Sequence, residues 1–427
     1  MHRLRALWWT VSGSLWLVPS VIVILAAFVA VVLIGLEGTL DLDLAQGWPR
    51  LFGAGADGSR AMLSAIAGSM ITVAGVVFSV TLVALTLTAT QYSPRVIRTF
   101  MQDRPTQFVL GVFVGVFAYC LVVLRSIRGE NGEAPFVPAI AVFGGMVLAL
   151  VAIGFLVFFI HHLAVSIEAS SILARLTDAT SKVLNDLFPE KADATGDVDE
   201  TAAREERAIA HWLPVPAPES GYVVSVDHER LVEISKRLDC VVRMAVGAGA
   251  FVVEGSPLAH RSSGMPVPRE LDEAIGNCCA LEHVRTIEQD ATFGLQQIVD
   301  VALKALSPGI NDQTTAIMCV DRLAQLMVMI ADRRVDYRYR RVDGRLRLIC
   351  AATTFDDLLQ LAFVEIRRHA AGNHAVLSRL LWAQTQVRAA TRELSRMASV
   401  ARLARDIEAA LAAYEAREQA RLHGSSR

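Results

Sequence analysis

Four long apolar runs dominate the first part of the chain. They cover residues 15–36, 62–90, 107–124 and 137–160, and none of them contains Asp, Glu, Lys, Arg or His. A helix needs roughly 20 apolar residues to cross the hydrocarbon core of a bilayer. The pattern therefore predicts a transmembrane domain of four helices in residues 1–165, with the lipid bilayer as a partner.

The second run is the longest and carries hydroxyl groups along one face. With about 100° per residue, a helix brings five hydroxyl side chains to one side, namely Ser69, Thr72, Ser79, Thr86 and Thr90. One interpretation is that these residues line a pore. The alternative is close helix packing, because small residues form a ridge on nearly the same face. The ridge consists of Gly68, Thr72, Gly75 and Ser79. Both interpretations hold if the helix packs around a symmetry axis.

The third and fourth runs each carry one further pattern. The spacing Gly111-x-x-x-Gly115 in the third run favours close packing against another helix. After the fourth run, apolar residues keep a helical period through residues 166–188. This period predicts that the fourth helix extends into the cytoplasm.

The arginine and lysine residues next to the spans predict the orientation of the chain. One side carries seven of them, namely Arg3, Arg5, Arg95, Arg98, Arg104, Arg175 and Lys182. The other side carries Arg50, Arg60, Arg125 and Arg128. Because the more positive side normally faces the cytoplasm, we expect a multi-pass protein whose N- and C-termini are both cytoplasmic.

Beyond the spans, the pattern predicts an α+β cytoplasmic domain. Residues 189–218 are acidic and then proline-rich, which is typical of a linker. Short strand-like runs predict a small β-rich module at 219–262. A helix-turn-helix and a β-hairpin are expected in residues 263–355, followed by a helical C-terminal region, 356–427. The fold class is thus a membrane all-α domain followed by an α+β domain with a helical C-terminus.

The C-terminal helical region contains a seven-residue spacing. Gly372-Asn373 interrupts the helical pattern, and apolar residues then recur at Leu380, Val387, Leu394 and Ala401. Such spacing suits either an antiparallel helix pair or a coiled-coil contact between copies of the chain. A homo-oligomer is therefore one expectation from this region.

Composition supports the division into two parts. The chain has 427 residues, of which 53% are hydrophobic and 20% charged, and its mean hydropathy is +0.42. These values exclude an ordinary soluble enzyme and a disordered chain. Acidic residues outnumber basic ones after residue 165, so nucleic acid is not an expected partner.

The densest polar segment of the chain runs from Arg285 to Asp312. Its candidate ligand-binding residues are Arg285, Asn311 and Asp312, and its candidate catalytic residues are Asp290, Lys304 and Asp312. Carboxylate and amide oxygens in this segment could bind a hard cation. The simpler interpretation is structural, because Pro308-Gly309 forms a turn and Asn311 or Asp312 caps the following helix.

A second candidate region is rich in arginine. Residues 337–350 read as a β-hairpin with Asp343-Gly344 at a type I′ turn. Arg338 and Arg340 are expected on one face, where they could contact anionic lipid headgroups. The alternative is an ordinary solvated hairpin face.

Common catalytic and cofactor motifs are missing from the sequence. It has no P-loop, no G-x-S-x-G, no H-E-x-x-H and no dinucleotide-binding fingerprint. The six cysteines show no C-x-x-C or zinc spacing. We therefore expect no cofactor, no metal site and no cysteine nucleophile.

Several motifs together resemble a known bacterial family. They are Gln91-Tyr-Ser-Pro-Arg-Val, Phe100-Met-Gln-Asp-Arg, Gln107-Phe-Val-Leu-Gly-Val-Phe, Arg285-Thr-x-x-Gln-Asp and Ala305-Leu-Ser-Pro-Gly-Ile-Asn-Asp-x-Thr-Thr-Ala316. The combination resembles the predicted membrane proteins called domain of unknown function 2254. The resemblance covers nearly the whole chain. It implies the four-span topology and a bacterial inner (plasma) membrane, and it implies no activity.

Two hypotheses about function remain open. The first is an oligomeric channel or passive transporter, in which the hydroxyl face of the second span borders a pathway for an unknown ion or small ligand. The second is a membrane-anchored cytoplasmic enzyme or ligand sensor that uses the segment from Arg285 to Asp312. The first is favoured, because a simple anchor needs neither four spans nor one that exceeds the bilayer thickness.

Overall fold

The structure is a computed structural model, which describes residues 16–40, 55–91, 103–128, 136–188, 196–262, 269–333, 339–351 and 353–424. The chain divides into two compact units, Met1–Glu168 and Ala169–Arg427. Each unit builds a hydrophobic core from its own elements.

The first unit consists of long apolar helices. They are α1 (Leu17–Leu40), α2 (Ala56–Gln91), α3 (Arg104–Ser126) and α4 (Ala139–Ser166). All four are long and apolar enough to cross a membrane. The four spans predicted from the sequence are therefore confirmed by length and composition.

Helix α3 is the centre of this bundle. It contacts α1, α2 and α4, and its side chains Phe113, Tyr119 and Cys120 are buried. The Tyr119 hydroxyl donates a hydrogen bond of 2.7 Å to the carbonyl oxygen of Ala141. This bond joins α3 to α4 inside the apolar core.

The close approach of α1 and α3 depends on glycine. A Cβ at Gly111 would lie 2.6 Å from Cδ1 of Ile22 and 3.0 Å from Cα of Pro19. A Cβ at Gly115 would lie 3.2 Å from Cγ2 of Ile22. The packing role predicted for Gly111-x-x-x-Gly115 is thus confirmed, and α1 is the partner helix.

Acidic side chains cap two of these helices. Asp103 caps the N-terminus of α3 and lies 2.8 Å from Nε2 of His162. Glu37 accepts hydrogen bonds from the backbone N–H groups of Ala139, at 2.6 Å, and Ile140. Because Pro138 gives α4 no side-chain cap of its own, Glu37 satisfies donors at the start of that helix.

The second unit mixes helices and strands. Its helices are α5 (Ala169–Leu187), α6 (Gly196–Ala208), α7 (His228–Arg237), α8 (Arg269–Gly276), α9 (Ala291–Ala305), α10 (Gln313–Ile330), α11 (Phe355–His369), α12 (His374–Ala390) and α13 (Leu394–Gly424). Its strands are β1 (Trp212–Pro216), β2 (Gly221–Val226), β3 (Val242–Met244), β4 (Phe251–Val252), β5 (Pro257–Ser262), β6 (Cys279–Glu282), β7 (Tyr339–Val342) and β8 (Arg345–Ile349).

The predicted extension of the fourth helix is interrupted. Helix α4 ends at Ser166, α5 begins at Ala169, and Ile167 and Glu168 separate the two. Helix α5 is amphipathic and packs against α9 and α10, with Leu173 and Leu184 fully buried. The apolar period after the fourth span therefore serves the core of the second unit.

Part of the segment expected as a linker, 189–218, is folded. It contains α6 and β1, and β1 pairs antiparallel with β5. Glu205 on α6 accepts hydrogen bonds from Nη2 of Arg341, at 2.6 Å, and from the backbone N–H of Leu346. The prolines of this segment are compatible with a strand because β1 lies at the edge of its sheet.

The strands form two sheets. One has the order β1-β5-β3-β8-β7 and the other β4-β2-β6. Neighbouring strands are antiparallel except for β3 and β8, which are parallel. Because β6, β7 and β8 follow residue 262, the β-rich module predicted at 219–262 shares both sheets with later segments.

The predicted hairpin and the predicted C-terminal break are both confirmed. Asp343 and Gly344 have φ values of 54° and 76°, as a type I′ turn requires.

After the break in the C-terminal region, Asn373 caps α12. Helix α13 returns along α12, so that the ring of Tyr414 lies 5.9 Å from that of His374. Leu394 is 82% exposed, so the seven-residue spacing does not continue as a packed stripe.

Candidate functional site

The hydroxyl face of α2 points away from the other described helices of the first unit. Ser69, Thr72, Ser79, Thr86 and Thr90 are all exposed. The opposite face carries the buried side chains, which include Leu63, Met70, Ala74 and Val77. At Gly68 and Gly75, no described atom lies within 4 Å of where a Cβ would stand. Among the described residues, the small-residue ridge therefore packs against no other helix of the first unit.

Three threonines of this face donate their hydroxyl protons to backbone carbonyl groups of their own helix. The hydroxyl of Thr72 donates to the carbonyl oxygen of Gly68 at 2.8 Å, and that of Thr86 donates to Leu82 at 2.9 Å. Thr90 donates to Thr86 at 3.1 Å. Since each proton is used within the helix, these hydroxyls present only oxygen lone pairs to their surroundings.

In the second unit, half-buried Arg285 forms an ion pair with buried Asp290. Nε and Nη2 of Arg285 lie 3.0 and 2.6 Å from Oδ2 of Asp290. The other oxygen, Oδ1, accepts from the hydroxyl of Thr292 and from the backbone N–H of Phe293 at 3.0 Å. Asp290 is 3% exposed and is the N-cap of α9. Both oxygens of this carboxylate are therefore used in hydrogen bonds within the second unit.

Gly249 makes this arrangement possible. Its φ is +89°, and a Cβ there would overlap the Asp290 carboxylate and approach Nη2 of Arg285 to 2.8 Å. The Gly247-Ala-Gly249 loop and the Arg285–Asp290 segment, far apart in the sequence, thus lie against each other. Gly294 has a similar role, because a Cβ there would overlap Thr180 of α5.

A cavity of about 410 Å³ lies beside the ion pair. Apolar side chains form much of its wall, among them Val183, Val226, Met244, Val246 and Leu358. Its polar lining includes Asp186, His228, Glu288, Gln289, Asp290, Thr292, Arg340 and Thr353. Its volume lies within the range of sites for small organic ligands.

Arg340 lies in the wall of this cavity. It was predicted to contact lipid headgroups together with Arg338, which lies outside the described residues. Other arginines of the hairpin pair with acids of the same unit: Arg341 with Glu205 at 2.6 Å, and Arg347 with Asp239 at 2.8 Å. Charge pairing within the unit accounts for part of the arginine richness that suggested a lipid contact.

His228 shares the cavity with Arg340. Burial lowers the pKa of His228, and the positive charge of Arg340 lowers it further. The imidazole is therefore neutral near pH 7. Neither His228 nor Thr292 was expected in a site, and no sequence motif marks them. Gly249 could have been suspected from the glycine-rich loop alone.

The other predicted residues lie at the opposite end of α9. Lys304 is exposed in its last turn, and Asn311 and Asp312 follow in the turn to α10. A helix of 15 residues is about 22 Å long. The structure thus does not bring Arg285 and Asp290 together with Lys304, Asn311 and Asp312.

Asp312 caps α10. Its carboxylate accepts from the backbone N–H of Thr315 at 3.0 Å and from the Thr315 hydroxyl at 2.6 Å, which confirms the capping interpretation. Asn311 has a φ of 49°, so it occupies the left-handed position of the turn. These hydrogen bonds from Thr315 lower the pKa of Asp312.

The six cysteines are free and buried. Burial raises the pKa of Cys350 to about 11 and that of Cys279 to about 12, so both remain neutral thiols. In the part of the chain that the structure describes, no three His, Cys, Asp or Glu side chains are grouped closely enough to hold a metal ion.

Comparison with known proteins identifies the family. The family model described as predicted membrane protein (DUF2254) matches residues 12–385. Uncharacterized proteins of Mycobacterium bovis and Mycobacterium tuberculosis are 31% identical over 392 residues, which cover 89% of this chain and 73% of each relative. No solved structure matches the chain. The chain therefore belongs to the DUF2254 family of predicted membrane proteins.

Proposed function

We propose that this protein is an oligomeric channel or passive transporter of the bacterial inner membrane. One observation carries the proposal. The second span packs one face against its own chain and exposes the face with the hydroxyl groups and the small-residue ridge. A second copy of the same helix fits such a ridge. Copies arranged around an axis would then border a pathway with their hydroxyl groups.

The chemistry of the exposed face favours cations or water as the species that pass. Thr72, Thr86 and Thr90 donate their protons to their own helix. Their outward oxygen atoms act as acceptors, as carbonyl and hydroxyl oxygens do in cation pathways. At 36 residues, α2 is about 54 Å long, so it extends the pathway beyond the hydrocarbon core of roughly 30 Å.

The proposed topology places both termini and the second unit in the cytoplasm. The excess of arginine and lysine on one side of the spans supports this orientation. Five of the six free cysteines lie in the second unit, which suits a reducing compartment. In this arrangement, the second unit assembles or regulates the membrane part.

Ion flux in liposomes tests the proposal. We expect liposomes with the purified wild-type protein to pass a monovalent cation such as K⁺. Ser79→Leu and Thr86→Leu should strongly reduce this flux, because a bulky apolar side chain in a narrow pathway displaces water. Phe78→Leu is the matched control, because it places the same side chain outside the hydroxyl face. Phe78 is exposed at nearly the same depth as Ser79, points about 100° away from it around the helix and lies on the side opposite Ser69.

The three variants separate a pathway from mere helix packing. Liposomes that remain tight to K⁺ with the wild-type protein contradict the channel. If Phe78→Leu reduces the flux as much as Ser79→Leu does, the hydroxyl face has no special role.

The second candidate function is a membrane-anchored ligand sensor or enzyme. The observation that favours it is the cavity beside the Arg285–Asp290 pair. This candidate centres on the cavity, because Asn311 and Asp312 lie at the far end of α9. The Asp290 carboxylate already caps α9 and pairs with Arg285. The site therefore suits ligand binding better than catalysis.

A further inference from the structure

We propose that the cavity of the second unit binds a small uncharged organic molecule with an apolar body, and that a carbonyl group of this ligand accepts a hydrogen bond from the side-chain amide of Gln289. The proposal deepens the second candidate function and does not depend on transport. The flux experiment and the titration described below therefore fail independently. All residues that line the cavity belong to the second unit.

Among the described residues, the charged groups around the cavity offer no unpaired buried charge to a ligand. Asp290 is buried and pairs with Arg285, and Arg340 and Glu288 each have a partner within the protein. Asp186 is exposed, so water screens its charge. A charge is costly to bury without a partner. An uncharged ligand avoids this cost.

The balance of charges supports the same conclusion. The three acids around the cavity outnumber the two nearby cations, Arg285 and Arg340, by one, which disfavours an organic anion. An organic cation is disfavoured by Arg340 in the wall. Arg333 adds a further positive charge close by, because it donates to the carbonyl oxygen of Phe188, a residue of the wall, at 3.0 Å.

The unused hydrogen-bonding groups of the cavity are on uncharged side chains. The side-chain oxygen of Gln289 accepts from the backbone N–H of Val226 at 2.9 Å, which leaves the NH₂ group of this amide as a donor. In the described part of the chain, no residue accepts a hydrogen bond from this NH₂ group. The neutral imidazole of His228 and the hydroxyl of Thr353 also line the cavity. These groups suit the carbonyl or amide of an uncharged ligand.

The apolar side chains of the wall select the rest of the ligand. Val226, Met244 and Leu358 are at least 95% buried around the cavity, and Val246 adds to this wall. The thioether of Met244 makes favourable contacts with aromatic rings. A ligand with an aromatic or hydrocarbon body therefore gains from the burial of apolar area.

Three probes of nearly the same shape test the proposal. Benzamide is uncharged, benzoate is its anionic counterpart, and benzamidine, which is protonated at neutral pH, is its cationic counterpart. Full-length protein in lipid nanodiscs is titrated with each probe by ligand-observed NMR, and empty nanodiscs give the background. We expect saturable binding of benzamide that is about tenfold or more tighter than binding of either ion. Wild-type protein that does not bind benzamide overturns the proposal, and so does an ion that binds as tightly as benzamide.

Two glutamine variants locate the carbonyl group. Gln289→Glu keeps an acceptor for the N–H of Val226 and removes the NH₂ donor, so it should weaken benzamide binding about tenfold. Gln386→Glu is the matched control, because it makes the same change at an exposed position of α12 outside the cavity. It should bind benzamide as the wild type does. Unchanged binding in Gln289→Glu, or equal weakening in both variants, overturns the proposal.

A third variant keeps the test decisive if Gln289→Glu fails to fold. Ala351 lines the cavity and is exposed, so Ala351→Leu narrows the space without changing a charge or the buried core. We expect it to weaken binding of benzamide. Unchanged binding would place benzamide outside the cavity and overturn the proposal.

Discussion

Gly249 lies directly against the ion pair of Arg285 and Asp290. With a φ of +89° and no room for a Cβ, this position tolerates no side chain. We expect Gly249→Ala to destabilise the second unit by about 3 kcal/mol. Backbone strain contributes about 1–2 kcal/mol, and displacement of the ion pair contributes about 1–3 kcal/mol. Thermal unfolding of the full-length protein measures the loss.

Gly255→Ala is the control for this prediction. Gly255 has a similar φ of +79°, but no described atom lies within 4 Å of the position of its Cβ. The substitution should therefore carry only the backbone strain. Equal losses in the two variants would show that contact with Asp290 is unimportant.

Asp312 should stabilise the second unit in a pH-dependent way. Its pKa is lowered by hydrogen bonds from Thr315. The carboxylate therefore stabilises the fold above its unfolded pKa of about 3.9, and this contribution is lost as the pH falls through the lower folded pKa. We expect Asp312→Ala to lose about 1 kcal/mol at neutral pH, and Asp312→Asn to lose less, because Asn also caps helices.

Melting temperatures of the two Asp312 variants and the wild type, measured from pH 7 down to about pH 3, check this prediction. The difference between wild type and Asp312→Ala should shrink toward the acid end. A difference that stays constant with pH would mean that the charged carboxylate contributes nothing.

The two aspartates show how far single residues can be interpreted from sequence. An Asp that precedes a helical pattern can be either an N-cap or a ligand. For Asp312 the sequence predicted the capping role, which the structure has. The role of Asp290 was less visible. It depends on Gly249, which approaches from a distant loop, and no local pattern reports such a contact.

Among the elements, the pair of α1 and α3 offers the sharpest test. We expect Gly111→Leu to destabilise the first unit by about 1–3 kcal/mol, because the side chain would be forced against Ile22 and Pro19. Gly154→Leu on α4 is the control, since no described atom lies within 4 Å of its Cβ position. Thermal unfolding in detergent compares the two. Equal melting temperatures would contradict the close contact of α1 and α3.

Local elements were predicted well where one periodic pattern decides them. The four spans, the type I′ hairpin and the break before α12 all follow from short stretches of sequence. The interruption between α4 and α5 was missed, because apolar residues on both sides keep a helical period. The strand β1 was missed because its prolines disfavour a strand in any reading of the local sequence. It becomes a strand only through its pairing with β5.

For the whole molecule, the central question is what covers the exposed face of α2. The sequence left helix packing and a pathway as alternatives. Among the described residues of the first unit, the buried contacts of α2 come from its other face, so packing between these helices does not explain the ridge. A symmetric assembly of several copies satisfies both alternatives at once.

Accessibility of a cysteine introduced at Ser79 to a membrane-impermeant thiol reagent tests this account most directly. The native cysteines are buried and should react slowly. A thiol reacts as the thiolate, which forms in water and not in lipid. We predict that Ser79→Cys reacts rapidly in reconstituted vesicles, whereas Phe78→Cys, at nearly the same depth but outside the hydroxyl face, does not. A Ser79→Cys variant that reacts no faster than Phe78→Cys would contradict a water-filled pathway along this face.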